Sequence, residues 1–116
     1  MSAAALKERL RADLKGAMQA RAADEVRVLR VLIAALDNAE AVPSAERPDT
    51  PRAFGDPSGE VARLDLDDAA IEALLADEVA ARLSAVADYR SRGQHEEALR
   101  LEREAALVER YRTPAK

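Results

Sequence analysis

The stretch Glu25–Glu40, EVRVLRVLIAALDNAE, is the most apolar run in the chain and decides how the other segments must be arranged. Its large apolar residues recur at the i, i+3, i+4 and i+7 spacing of one helical face: Leu29, Leu32, Ile33 and Leu36. Valines extend the apolar surface around the flanks: Val26, Val28 and Val31. A helix that is apolar on most sides is typical of the centre of a helical bundle.

The N-terminal segment predicts a helix over residues 3–21 with Ser2 as its N-cap. Its largest apolar residues are spaced four apart and are expected to face inward: Leu6, Leu10, Leu14 and Met18. Gly16 lies within this pattern, either where a neighbouring helix approaches closely or as a tolerated weakness. The connection to the apolar stretch is short, so we expect two antiparallel helices, with Asp24 as the N-cap of the second.

Helical periodicity stops between residues 42 and 59, where VPSAERPDTPRAFGDPSG holds four of the five prolines of the chain. This composition predicts a long, flexible Pro/Gly-rich loop, with Phe54 as its anchor on the bundle. A short extended piece over residues 60–65 is expected to follow.

A third helix is predicted over residues 68–91, because Asp67 suits an N-cap and Leu66 and Ile71 stand at the positions of a hydrophobic staple. Its expected inner face is Ile71, Leu75, Val79, Leu83 and Val86. Glu78 and Arg82 are expected to pair on its solvent side.

Gly93 is predicted to supply the left-handed residue that ends the third helix. A fourth helix is predicted over residues 94–111, with a narrow seam of Ala98, Leu101, Ala105 and Val108, and residues 112–116 are expected to form a tail. The sequence therefore predicts an all-α fold. We expect one domain over residues 1–116, a four-helix antiparallel bundle with the long loop between its second and third helices.

Composition restricts the classes of protein to which the chain can belong. With 116 residues it has room for one core, and the absence of cysteine excludes disulfides, thiolate metal sites and a cysteine nucleophile. No apolar run reaches the length of a membrane span, and the N-terminus lacks a signal-peptide core. We expect a cytoplasmic protein that does not associate with membranes.

Residues that could support catalysis or metal binding are few. His95 could be a ligand or a base, but no second histidine or cysteine can join it, and we interpret it as a surface residue. Acidic residues at helix starts are explained by the helix dipole. The GDPSG segment has neither the spacing nor the lysine of a phosphate-binding loop. We therefore predict no catalytic residue, no metal and no cofactor.

Basic residues are concentrated near the N-terminus, although the net charge of the chain is −4. The first 36 residues hold seven basic and four acidic side chains. Five of the basic residues are candidates for binding nucleic acid: Lys7, Arg11, Lys15, Arg21 and Arg30. One interpretation is that they contact a phosphate backbone. The other is that they form a solvated helix face partly paired with Glu8 and Asp13.

Four blocks of sequence, taken in order, resemble the N-terminal helical region of the GatB/YqeY family. The blocks are LKERLRADLKGAMQAR (6–21), VLRVLIAALDNAEAV (28–42), DEVAARLSAVADYRSRG (77–93) and EEALRLEREAALVERY (96–111). The matching positions are Leu6, Lys7, Met18, Ala20, Arg21, Leu29, Arg30, Ala35, Asn38, Ala39, Glu40, Glu78, Arg82, Tyr89, Gly93, Glu104 and Tyr111. Their order and spacing carry the resemblance together, and no single block does so alone.

The resemblance implies a helical bundle related to the tail region of the B subunit of glutamine-dependent aspartyl/glutamyl-tRNA amidotransferase, which contacts tRNA. It also implies a family label of carbon–nitrogen ligase with glutamine as amido-nitrogen donor. The chain does not contain the kinase and transamidation domain of that subunit. We therefore predict a non-catalytic accessory domain that associates with tRNA or with amidotransferase subunits. The alternative is a helical protein–protein interaction module with no nucleic-acid role.

Overall fold

The structure, a computed structural model, describes residues 2–41 and 65–112. These residues form four helices: α1 (Ala3–Gln19), α2 (Ala23–Glu40), α3 (Asp68–Ser91) and α4 (His95–Arg112). No β-strand occurs within these two ranges, and the predicted all-α four-helix bundle is confirmed. The predictions for the 42–59 loop, for Phe54 and for residues 60–64 and 113–116 lie outside the described residues. Arg112, predicted to belong to the tail, is the last residue of α4.

The bundle consists of two helical hairpins, α1–α2 and α3–α4, and α2 contacts all three other helices. The most buried residues of α2 are no more than 1% exposed: Val28, Leu29, Leu32 and Leu36. The core continues into α1 through Leu6 and Leu10, and into α4 through Val108. The central position predicted for the apolar stretch is therefore confirmed, and at about 25 cal/mol per Å² its buried apolar surface is a main source of stability.

Side-chain caps begin two of the helices as predicted. Ser2 Oγ accepts a hydrogen bond from the Ala5 N–H at 3.0 Å, and Asp67 Oδ1 accepts one from the Ala70 N–H at 2.8 Å. The prediction for Asp24 is wrong. The N-cap position of α2 is Ala22, which offers no side-chain acceptor, and Asp24 lies in the first turn.

The turn between α1 and α2 explains why α1 ends two residues earlier than predicted. Arg21 adopts a left-handed backbone conformation with φ of +57°. The Ala22 N–H then donates to the Ala17 carbonyl at 2.9 Å, and the Arg21 N–H donates to the Met18 carbonyl at 3.1 Å. These two bonds define a Schellman motif, which closes the helix at Gln19.

The turn between α3 and α4 has the same hydrogen bonds, with Gly93 in the left-handed position at φ +74°. The Gln94 N–H donates to the Tyr89 carbonyl at 2.9 Å, and the Gly93 N–H donates to the Arg90 carbonyl at 3.0 Å. The role predicted for Gly93 is confirmed.

Two residues predicted to face inward are exposed. Met18 is 51% exposed in the last turn of α1, and Leu83 is 50% exposed in the second half of α3. Helical spacing places both residues on the predicted stripe, but Met18 lies at the end of α1. Leu83 is not covered, although Val86 further along α3 is 5% exposed. Gly16 does not mark a close approach, because a Cβ there would meet no atom within 4 Å.

None of the described helices is sufficiently long and apolar to cross a membrane.

Candidate nucleic-acid interface

Lys7 does not belong to an exposed basic row, contrary to the prediction. Its ammonium nitrogen is 3.1 Å from Asp37 Oδ1 and also donates to Glu40, and its side chain is 11% exposed. The hydrogen bond to Glu40 is the main reason why the pKa of Lys7 is raised above 10.5. Lys7 therefore joins α1 to the last turn of α2, and its charge is already compensated within the bundle.

The other four candidates remain exposed on the surface: Arg11, Lys15, Arg21 and Arg30. None of them takes part in an ion pair within the described ranges. Asp13, which was expected to pair with this row, instead accepts a hydrogen bond from the Tyr111 hydroxyl. The expected pairing with Glu8 and Asp13 is therefore not formed by these four residues in the described ranges, while the choice between a solvated face and a phosphate-binding face stays a prediction.

Two of these residues share a groove beside the turn between α1 and α2, and Lys15 lies level with one of them along the hairpin. Arg21 and Arg30 line one shallow groove of about 620 Å³, together with the exposed apolar side chains of Met18 and Val31. Counting about two helical turns from the Lys7–Asp37 pair brings Lys15 level with the part of α2 that holds Arg30. We give the name turn surface to five residues: Lys15, Arg21, Arg30, Met18 and Val31. Arg11 lies about one helical turn closer to the N-terminus of α1 and is not included.

Arg21 holds a strained backbone within this surface. A left-handed conformation costs an L-residue roughly 1–2 kcal/mol, because its Cβ crowds the following carbonyl. The equivalent position at the other turn is Gly93, which has no Cβ and avoids this cost. An arginine where glycine would be less strained is the kind of outlier that accumulates at functional sites.

The arginines around Glu104 have a different environment. Glu104 is 7% exposed and accepts hydrogen bonds from Arg82 Nε at 3.3 Å and from Arg100 Nη1 at 2.8 Å. Arg27 Nε approaches the same carboxylate at 3.8 Å. This cluster joins α2, α3 and α4, so its charges stabilise the bundle and are not available to a ligand.

The sequence predicted only part of the Glu104 cluster. The Glu78–Arg82 pair forms at 3.4 Å, but the Arg82 side chain is 12% exposed, so the predicted solvent-side position is wrong. A sequence signal for Glu104 did exist, since it follows Arg100 by one helical turn. The signal is weak because the same spacing is common on exposed helices.

Both tyrosines have one ring face covered by an arginine. The Arg9 guanidinium lies 4.5 Å from the ring centroid of Tyr111, and Arg92 lies 5.0 Å from that of Tyr89. Tyr111 is only 6% exposed; burial, followed by its hydrogen bond to Asp13, raises the pKa of its hydroxyl. Tyr111 therefore functions in packing and does not present a free platform for a base.

The described residues contain no group of three or more His, Cys, Asp or Glu side chains placed to hold a metal ion. His95 is exposed as the first residue of α4. No family model, curated protein or solved structure matches the chain. The resemblance to the GatB/YqeY family therefore stays a prediction from the sequence.

Proposed function

We propose that the chain is a non-catalytic helical accessory domain that binds tRNA through the turn surface. The sequence resemblance to the GatB/YqeY family provides the class of nucleic acid. The observation that carries the proposal is Arg21, an exposed arginine in a left-handed backbone conformation with no ion pair among the described residues. Its side chain makes no hydrogen bond, ion pair or ring contact within the described residues that would offset the backbone strain, so we infer a contact outside the bundle.

The neighbouring charges support the same conclusion. Lys15 and Arg30 are exposed at the same end of the α1–α2 hairpin, and neither is compensated by a carboxylate in the described ranges. Three cations close together can neutralise about three phosphates. The slope of log affinity against log salt would then be about −2 to −3. Lys7 contributes nothing to this surface, because Asp37 and Glu40 already hold it.

The test is a titration of fluorescently labelled tRNA at salt concentrations of about 50 and 200 mM. The stated slope corresponds to an affinity loss of roughly 16- to 64-fold over this range. The variant K15E/R21E/R30E should abolish measurable binding at the higher salt. Absence of binding by the unmodified chain at low salt contradicts the proposal.

A matched control separates local contacts from the effect of net charge. The variant R92E/R103E/R110E makes the same change in charge on the α3–α4 hairpin, using three exposed arginines. It should weaken tRNA binding far less than K15E/R21E/R30E does. If the two triple variants lose affinity equally, tRNA is attracted only by the overall charge and the turn surface is not its site.

A second candidate function, a protein-interaction module, is favoured by the apolar part of the turn surface. Met18 is 51% exposed and Val31 is 40% exposed, and exposed apolar groups among polar residues are frequent where partners bind. The test is binding of purified amidotransferase subunits by unmodified chain and by M18S/V31S. Stoichiometric binding that the double variant loses, with tRNA ignored, favours this candidate.

Autonomous transamidation is the activity that the family label would imply. We expect the isolated chain to give no glutamine-dependent conversion of misacylated tRNA, because the proposed role is accessory. Conversion at a rate above that of a blank reaction would contradict the non-catalytic part of the proposal.

A further inference from the structure

A separate groove lies between the first turn of α2 and the exposed side of α4. It has a volume of about 580 Å³, and its floor is formed by the buried side chains of Val28 and Leu107. The alanines of its lining, Ala22, Ala23 and Ala106, are more exposed than this floor and supply the accessible apolar surface. Small-molecule sites in proteins are commonly mostly apolar clefts of roughly 300–1,000 Å³, often between helices of a bundle.

Two arginines that line this groove differ from the other arginines of the α3–α4 hairpin. Arg82, Arg90, Arg100 and Arg112 form ion pairs, and Arg92 covers the ring of Tyr89. Arg103 and Arg110 form no ion pair within the described residues, and both line the groove. They are seven residues apart, about 10.5 Å along the helix, on either side of Ala106.

The acidic residues around the groove leave its balance of uncompensated charge positive. Glu104 is held by Arg82 and Arg100, and Asp24 is held by Arg27. Glu25 is the remaining acidic residue in the lining, and it faces two arginines that have no ion pair in the described ranges. An anionic group is therefore favoured over a cationic one.

From this arrangement we infer that the groove binds a small anionic amphiphile. The apolar body of the ligand lies against Ala23 and Ala106, which are exposed, and a carboxylate or phosphate group is held by Arg103 or Arg110. The site uses none of the residues of the turn surface. It is therefore independent of the proposed tRNA binding, and either proposal can fail alone.

The test is calorimetric titration of the full chain with three probes that share one alkyl chain: decanoate, decyl phosphate and decylammonium. Both anions should bind more tightly than the cation, by about tenfold. One exposed ion pair gained by the anion and a matching repulsion of the cation, each contributing a factor of up to about five, justify this figure. A preference between the two anions identifies the head group as carboxylate or phosphate. Equal affinity for decanoate and decylammonium overturns the inference.

Substitutions then locate the site. R103Q/R110Q should weaken anion binding by up to about fivefold, whereas the control R90Q/R92Q removes the same charge at the far end of the hairpin and should leave it unchanged. A106F fills the groove from an exposed position and should abolish binding without disturbing the core. E25Q should strengthen anion binding about two- to threefold, because it removes the opposing charge. Unchanged anion affinity in folded R103Q/R110Q or A106F overturns the site.

Discussion

The two hairpins of the bundle end in the same hydrogen-bonded turn but place different residues at its left-handed position. The α3–α4 turn has Gly93 there, and the α1–α2 turn has Arg21. Glycine is the residue that this conformation favours, so the α3–α4 turn is explained by its role as a connection. The α1–α2 turn is less favourable for stability alone. The proposed binding of tRNA by the Arg21 side chain would explain this difference.

The charged residues of the two hairpins differ in the same way. Most arginines of α3 and α4 are held by carboxylates, above all by the buried Glu104. Lys15, Arg21 and Arg30 of the α1–α2 hairpin have no such partner in the described ranges. Basic residues thus mostly stabilise the fold on the α3–α4 hairpin, with Arg103 and Arg110 as exceptions. On the α1–α2 hairpin they are mostly exposed without a carboxylate partner in the described ranges, with Lys7 and Arg27 as exceptions.

The largest stability effect is expected at Glu104. The change Glu104→Gln leaves the largely buried Arg82 without its carboxylate and should lower the free energy of unfolding by about 2–3 kcal/mol, measured by urea denaturation. The control Glu102→Gln removes the partner of Arg90 at an exposed pair and should cost less than about 0.5 kcal/mol. Equal losses in both variants would mean that the buried pair contributes no more to stability than the exposed pair.

Gly93→Ala should lower the free energy of unfolding by about 1–2 kcal/mol. A Cβ at this position meets no atom within 4 Å, so the cost arises only from its φ of +74°. Gly16→Ala is a matched control, since its Cβ also has open space but its backbone is helical. It should stabilise the chain by about 1 kcal/mol. Thermal unfolding of the two variants must shift in opposite directions.

Arg21→Gly should raise the free energy of unfolding by about 0.5–1 kcal/mol. Relief of the left-handed strain exceeds the extra entropy that glycine gives to the unfolded chain. The same change should weaken tRNA binding several-fold, so stability and binding move in opposite directions. A variant that is no more stable would show that the Arg21 side chain contributes to folding, which would remove the contrast with Gly93.

A small loss of stability without a change in binding is expected at Lys7. Lys7→Gln should lower the free energy of unfolding by about 0.5–1 kcal/mol at neutral pH and leave tRNA affinity unchanged. The pKa of Lys7 is raised above its unfolded value of 10.5, so its contribution is complete below that pH and is lost as pH rises through the folded pKa. The stability difference between variant and unmodified chain should therefore shrink in strongly alkaline buffer. A constant difference would exclude the ion pairs as its cause.

Much of the fold could be predicted from local sequence signals. Periodicity identified the central helix, and residues with specific backbone preferences identified the caps at Ser2 and Asp67 and the turn at Gly93. Met18 and Leu83 were misplaced because spacing defines a helical face but not how much of it another helix covers. The N-cap of α2 was predicted at Asp24 and lies at Ala22. The turn that precedes it was not predicted, because local propensity does not favour an arginine in a left-handed conformation.

The candidate site was less predictable than the fold for a related reason. A row of cations spaced four apart is visible in the sequence, but the partners of Lys7 lie at Asp37 and Glu40, about thirty residues away. The same holds for Glu104, whose partner Arg82 is on another helix. Only tertiary contacts separate the cations that are compensated from those that remain exposed.

The Tyr111–Asp13 hydrogen bond joins residues 98 positions apart in the chain and connects the first helix to the last. Each hairpin can close over a short loop, but this bond requires both hairpins to be in place. The entropic cost of closing so long a loop is offset only after local contacts have formed. We therefore expect this hydrogen bond to form late in folding. Unfolding of either hairpin breaks it, so we expect the two ends of the sequence to unfold in one cooperative transition.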